Sequence, residues 1–181
     1  MSLWKIIGMA HEPEATPSGE GFASSAEAMR GVVDRLSRLE PDRARYIALF
    51  AYVLGRVANA DLEMTEVETR AMEREVRALG GLDEAEAVLV VEIAKAQHRL
   101  FGATDSYSIT REFARTASSE EKTRLLECLF AVSAADHDVS GTEENEIRRI
   151  VKELDLSHDD FIAARAGYLD HVALLRDRRE E

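Results

Sequence analysis

Six carboxylates in two short stretches are the residues of this chain whose types and spacing could do chemistry. Asp61, Glu63 and Glu68 recur 75 residues later as Asp136, Asp138 and Glu143. Each leading Asp closes a stretch patterned as a helix. There it sits beside the negative pole of the helix dipole, where a carboxylate is disfavoured by roughly 0.3–1 kcal/mol. Either an Asx-type bond to the turn backbone or a bound cation would compensate. Carboxylates gathered in this way suit a hard divalent cation, Ca²⁺ or Mg²⁺, and Glu66 adds a further one to the first turn. The pattern is not an EF-hand, because Asp136 and Glu143 are too close for a loop of roughly twelve residues and its central glycine is missing. Thr65-x-x-Glu68 and Ser140-x-x-Glu143 also have the spacing of capping boxes, which satisfy orphan backbone donors of the following helix. That role is compatible with a cation site. His137 stands inside the second turn but is matched by Leu62 in the first, so it reads as a solvent-facing turn residue rather than a ligand.

The elements that must position these carboxylates are themselves duplicated. Leu54 through Glu68 returns as Leu129 through Glu143 without a gap, and Met72, Arg74, Val76, Arg77 and Leu79 fall on Ile147, Arg149, Val151, Lys152 and Leu154. Such self-similarity predicts two copies of one supersecondary unit, residues 46–100 and 121–175, related by a pseudo-twofold axis with three helices in each. Ser24 with Glu27 has capping-box spacing ahead of a first helix ending near Leu39, and Pro41 opens the next at a position where its missing N–H costs nothing. Tyr46, Leu49, Phe50, Val53, Leu54 and Val57 form a broad apolar stripe running toward Ala60. A third helix is expected after Thr65, ending at Gly80-Gly81, and a fourth from Leu82 to about Leu100. Residues 107–116 read as one short helix. In the second copy Ser118 with Glu121, Ser140, and Ser157 with Asp160 mark three helix starts. No segment shows the period-two alternation of a strand, so the chain is expected to be all-α with seven or eight helices.

The 181 residues, 45% hydrophobic, suffice for one core. The expected division is an N-terminal apolar segment and tether over 1–23 and a helical domain over 24–181. A formal charge of −12 argues against nucleic acid, which needs clustered Lys and Arg, and favours cations or basic partner patches. The single cysteine, Cys128, excludes an intramolecular disulfide and a cysteine zinc site, and its place on an apolar stripe reads as a buried inert thiol. No Glu-x-x-His pair, Gly-rich phosphate loop or nucleophile elbow occurs, so no catalytic or cofactor-binding residue is assigned and an enzyme is not expected. No apolar run approaches the ~18 residues of a membrane span, and Leu3 to Ala10 is too short and too weakly basic for a secretory signal. A cytoplasmic protein is the simplest reading. Trp4 and Ile7 are expected either to reach a membrane surface or partner through the Pro/Gly/Ser-rich stretch that follows them, or to fold back on the helical body.

The doubled Ala-Asp-x-acidic-apolar-Ser/Thr-x-x-Glu pattern, Ala60 to Glu68 and Ala135 to Glu143, resembles the tellurite-resistance TerB-like family. Leu154 to Arg165 resembles the closing signature of a small bacterial branch of it. The likeness spans roughly residues 40–170. It implies an all-helical fold of two related halves with an acidic metal-binding face at Asp61, Glu68, Asp136 and Glu143, with Glu63 and Asp138 beside them. It also implies a part in bacterial tellurite and envelope stress, peripheral to the inner membrane, alongside membrane-associated partners. The family usually has Gly after each Asp, where this chain has Leu62 and His137. A related helical domain precedes the J-domain of membrane-bound DnaJ-like co-chaperones. This chain has no His-Pro-Asp tripeptide, so direct stimulation of an Hsp70 is not expected.

Overall fold

The computed structural model describes Ile6 and residues 22–57, 66–96, 106–133 and 141–180. Among them are eight helices and no strand: α1 (Phe22–Ser37), α2 (Pro41–Val57), α3 (Glu66–Gly80), α4 (Glu84–Lys95), α5 (Ser106–Thr116), α6 (Ser119–Ser133), α7 (Gly141–Glu153) and α8 (His158–Glu180). The all-helical expectation therefore holds. α1 begins two residues before Ser24, so that serine lies inside the helix and not at its cap. α4 also starts two residues later than the apolar pattern suggested, at a boundary set by Asp83.

The central element is α2, in which every residue from Ile47 to Gly55 is buried. A helix apolar on all sides must be surrounded, and α2 packs against α1, α4, α5, α6 and α7. Tyr46, Phe50 and Phe113 form a ring cluster with centroids 5.6 to 6.3 Å apart that fastens α2 to α5. Phe130 and Phe161, 5.3 Å apart, join α6 to α8, and the Arg148 guanidinium lies 4.3 Å over the Phe161 ring. Rings at these separations add attraction beyond the area they bury. Ile6 is half-buried against the same core, whereas Trp4 and Ile7 lie outside the described residues.

The helix starts are written locally. Asp83 Oδ1 accepts from the Glu86 N–H at 2.9 Å while Glu86 Oε2 accepts from the Asp83 N–H at 3.0 Å. Ser118 with Glu121 and Ser157 with Asp160 make the same reciprocal pairs. Each box satisfies donors that a helix start leaves without partners. α3 stops at Gly80, followed by Gly81 at φ 63°. α7 stops in a Schellman turn, with Leu156 N–H to Val151 O at 3.0 Å and Asp155 N–H to Lys152 O at 3.3 Å. Asp155 is the left-handed residue there, at φ 58°.

These local marks refine the register between the halves. α3 and α7 start 75 residues apart, at Glu66 and Gly141. From the ends of those helices onward, equivalent features are 74 apart: the left-handed residues Gly81 and Asp155, the caps Asp83 and Ser157, and the buried pairs Ala87 with Phe161 and Val90 with Ala164. The ungapped offset expected through Leu100 and Leu175 therefore loses one residue at the turn closing α7, because the left-handed residue comes one position sooner there. Packing between the halves is reciprocal, with α3 on α6 and α7 on α2.

Candidate functional site

The two acidic stretches, 58–65 and 134–140, lie in the sequence between the end of α2 at Val57 and the start of α3 at Glu66, and between the end of α6 at Ser133 and the start of α7 at Gly141. Asp61, Glu63, Asp136 and Asp138 lie outside the described residues, as do Thr65, His137 and Ser140. Glu68 is the third residue of α3, its side chain outside the described set, and Glu143 is the third residue of α7, half-buried. A carboxylate in the first turn of a helix faces the positive end of its dipole. Neighbouring acids are engaged elsewhere: Glu144 pairs with Arg148 at 2.5 Å and Arg165 at 3.7 Å, and Glu66 with Arg70 at 3.6 Å. Among the described residues no group of three or more His, Cys, Asp or Glu is placed to hold a metal. The fit of a cation therefore rests on the donor chemistry, oxygen only and anionic, which suits a hard divalent ion.

An ionic network that the sequence reading missed joins the last turn of α2 to α7. Arg56, in the last turn of α2, is 6% exposed and reaches across to α7. Its Nη2 donates to Glu146 Oε1 at 2.6 Å and its Nε to the same oxygen at 3.0 Å. Nη1 donates to Glu153 Oε2 and, at 2.6 Å, to the Thr110 hydroxyl on α5. Glu153 is 8% exposed and Glu146 23%. Burial alone would lower the Arg56 pKa, but Glu153 and then Glu146 carry it above its ordinary value, so the cation persists. Arg149 donates to Glu146 Oε2 at 2.9 Å, and Arg111 donates to the Glu153 carbonyl at 2.9 Å and pairs with Asp155 at 2.7 Å. Three arginines and three carboxylates thus bind α2, α5 and α7 together with their charges balanced. Two sequence signals point this way: an arginine interrupting the apolar run between Leu54 and Val57, and two glutamates seven residues apart on the inward side of α7.

Cys128 is fully buried, and burial pushes its thiol pKa well up, which leaves it protonated and inert. Among the described residues no helix is long and apolar enough to cross a membrane.

An all-helical body packed around the buried helix α2, with an acidic stretch of sequence before each of α3 and α7, defines the class of this protein. The chain belongs to the TerB family: the family model described as tellurite resistance protein TerB matches residues 46–166, more than half of its length and both turns. No curated protein and no solved structure matches the chain.

Proposed function

We propose that this TerB-family protein binds a divalent cation, Ca²⁺ or Mg²⁺, at each of its two acidic turns and acts without catalysis in a bacterial response to tellurite or envelope stress. Asp61, Glu63 and Glu68 are the ligands of the first turn, and Asp136, Asp138 and Glu143 those of the second. The observation that carries this reading is positional. Both acidic stretches lead into helices that start 75 residues apart, at Glu66 and Gly141, each with a glutamate at its third residue, the position that capping-box spacing reserves for one. In this reading the protein works in the cytoplasm, peripheral to the inner membrane, with a basic or membrane-associated protein as partner.

Calorimetric titration of the full chain with Ca²⁺ and Mg²⁺ tests it. Two sites are expected, each weakened by its own substitution, Asp61→Asn or Asp136→Asn, together with a metal-dependent rise in melting temperature. No heat of binding and no thermal shift at millimolar metal would overturn it. Support would then pass to a metal-free interaction module, related to the helical domain of DnaJ-like co-chaperones, whose acidic face docks a basic partner; the formal charge of −12 favours that second reading.

A further inference from the structure

We propose that the cleft between α5 and α7 is a binding site for a small organic anion bearing a phosphate monoester. The cleft is a cavity of about 460 Å³ lined by Tyr107, Arg111, Arg149, Lys152, Glu153 and Asp155, within the size range of pockets that take small molecules. Its walls are two helices that pack on one another. Tyr107 and Arg111 stand one turn apart on α5, and Arg149 and Lys152 one turn apart on α7. Asp155 adds the left-handed turn that follows α7. Glu153 directs its carboxylate to Arg56 and is 8% exposed, so its charge is already compensated.

What the cleft presents to a ligand is positive charge and uncommitted donors. Among the described residues Arg111 uses only Nη1, on the Glu153 carbonyl and Asp155, and Arg149 uses only Nη1, on Glu146. A guanidinium carries five N–H donors, so most of both forks is available. Lys152 is exposed and pairs with no carboxylate among the described residues. Lys122 on α6 also bears electrostatically on Asp155. Both lysines come on top of the balanced network of Arg56, Arg111 and Arg149 with their three carboxylates, on a chain whose formal charge is −12. A phosphate monoester carries about −1.5 to −2 charges near neutral pH and three acceptor oxygens, which suits two guanidinium forks and an ammonium. The Tyr107 ring, 58% exposed, gives the organic part an apolar face. The first half of the chain lacks this excess. There Lys152 is matched by Arg77, which pairs with Glu84 at 3.4 Å, and 74 residues on from Glu84 stands His158.

The test titrates the metal-free full chain with phenyl phosphate, inorganic phosphate and benzoate, read by calorimetry and by amide NMR shifts. Without metal, no anion can be held through a bound cation. Phenyl phosphate is expected to bind about fivefold more tightly than inorganic phosphate, which lacks the ring, and about tenfold more tightly than benzoate, which lacks the second charge. The largest amide shifts are expected at Tyr107, Arg111 and Lys152. Lys152→Gln and Arg149→Gln should each weaken phenyl phosphate by about tenfold at unchanged melting temperature, since both side chains are exposed. Arg38→Gln, which removes an exposed arginine just past the end of α1, should leave it unaltered. No binding at millimolar phenyl phosphate, shifts centred elsewhere, or parent affinity in either cleft variant would overturn the site. Equal affinity for benzoate would overturn the dianion, and equal affinity for inorganic phosphate the organic body. The cleft shares no residue with the six carboxylates of the acidic stretches, so its failure leaves the cation reading as it stands.

Discussion

Two of the contacts between the helices of residues 46–100 and those of 121–175, α3 on α6 and α7 on α2, are built from opposite materials. Where α3 ends on α6, the backbone of Gly80 comes so close that an added Cβ would lie 3.3 Å from the Phe50 ring and 3.5 Å from Cys128 Sγ. Packing and close approach hold that side. Where α7 crosses α2, a buried arginine spans two glutamates and a threonine. An apolar contact is non-directional and tolerates sliding. A forked ionic contact fixes distance and orientation, and it penalises any single loss heavily because the remaining charge stays buried. The contact of α3 with α6 is therefore apolar and that of α7 with α2 ionic, although the sequences around the two acidic stretches are matched.

The largest effect should come from breaking the lock on one side only. Arg56→Met leaves Glu153 without its guanidinium partner and Glu146 with only the exposed Arg149, and is expected to cost about 3–5 kcal/mol in urea unfolding. Replacing all three members by apolar residues of similar volume should recover most of that loss, since desolvated ions are then absent from the fold. A triple variant no more stable than Arg56→Met would mean that shape, not charge, distinguishes the two contacts.

On the apolar side the sensitive point is backbone conformation. Gly81 is at φ 63°, and a Cβ there would lie 2.5 Å from Arg124 Nη1. Gly81→Ala is expected to cost roughly 1–2 kcal/mol by the left-handed penalty alone. Asp155 holds the equivalent place on the ionic side without a glycine, and its carboxylate, held below the usual range by Arg111, braces the same turn. Gly81→Asp should thus fail to reproduce the tolerance seen at Asp155. Thermal melts of Gly81→Ala and Gly81→Asp would show it, and parent-like stability of both would remove the distinction.

The acidic turns themselves should differ between cap and ligand. Ser140→Ala is expected to cost about 1 kcal/mol with or without metal. Asp136→Asn should be neutral or slightly stabilising in chelator, where it relieves an anion at a helix C-terminus, and should forfeit the stabilisation that metal confers on the parent. Equal destabilisation in both conditions would make Asp136 a structural turn residue.

The smallest effect is in acid. Glu86 is held below its ordinary value of 4.5 by the Arg43 guanidinium, opposed by burial and helped by the Asp83 N–H, while Asp160 is lowered by the Ser157 hydroxyl and N–H. A carboxylate with a lowered folded pKa contributes stability that is present above the unfolded value. That stability is lost as pH falls through the folded one. Unfolding free energy should therefore decline below about pH 4.5, and Glu86→Gln should flatten that decline more than Asp160→Asn, because only Glu86 combines a capping box with a cross-helix arginine pair. Identical acid limbs in the two variants would erase this difference between the capping boxes at Asp83 and Ser157.

Much of the fold was legible from local chemistry. Apolar stripes at helical spacing placed α2, α3, α6 and α7, Pro41 and Gly80-Gly81 marked their limits, and Ser118 and Ser157 capped helices as their spacing to Glu121 and Asp160 required. These signals are readable because caps and periodicity act within a few residues along one chain. The start of α4 was misread because Leu82 continues the apolar pattern while Asp83 supplies the cap. The one-residue shortening after α7 was hidden because Leu154 matches Leu79 in type although the turn geometry does not.

The chain by itself determined that the protein is helical, that its acidic turns come as a pair, and that its thiol is inert, since composition, period and capping residues answer to short-range physics. Which helices face one another was decided only in three dimensions. So was the meaning of Arg56, Glu146 and Glu153. A charged residue on a helix reads as solvated until the packing removes its water, and only the approach of α7 to α2, ninety residues apart along the chain, turns three ordinary surface residue types into a buried lock.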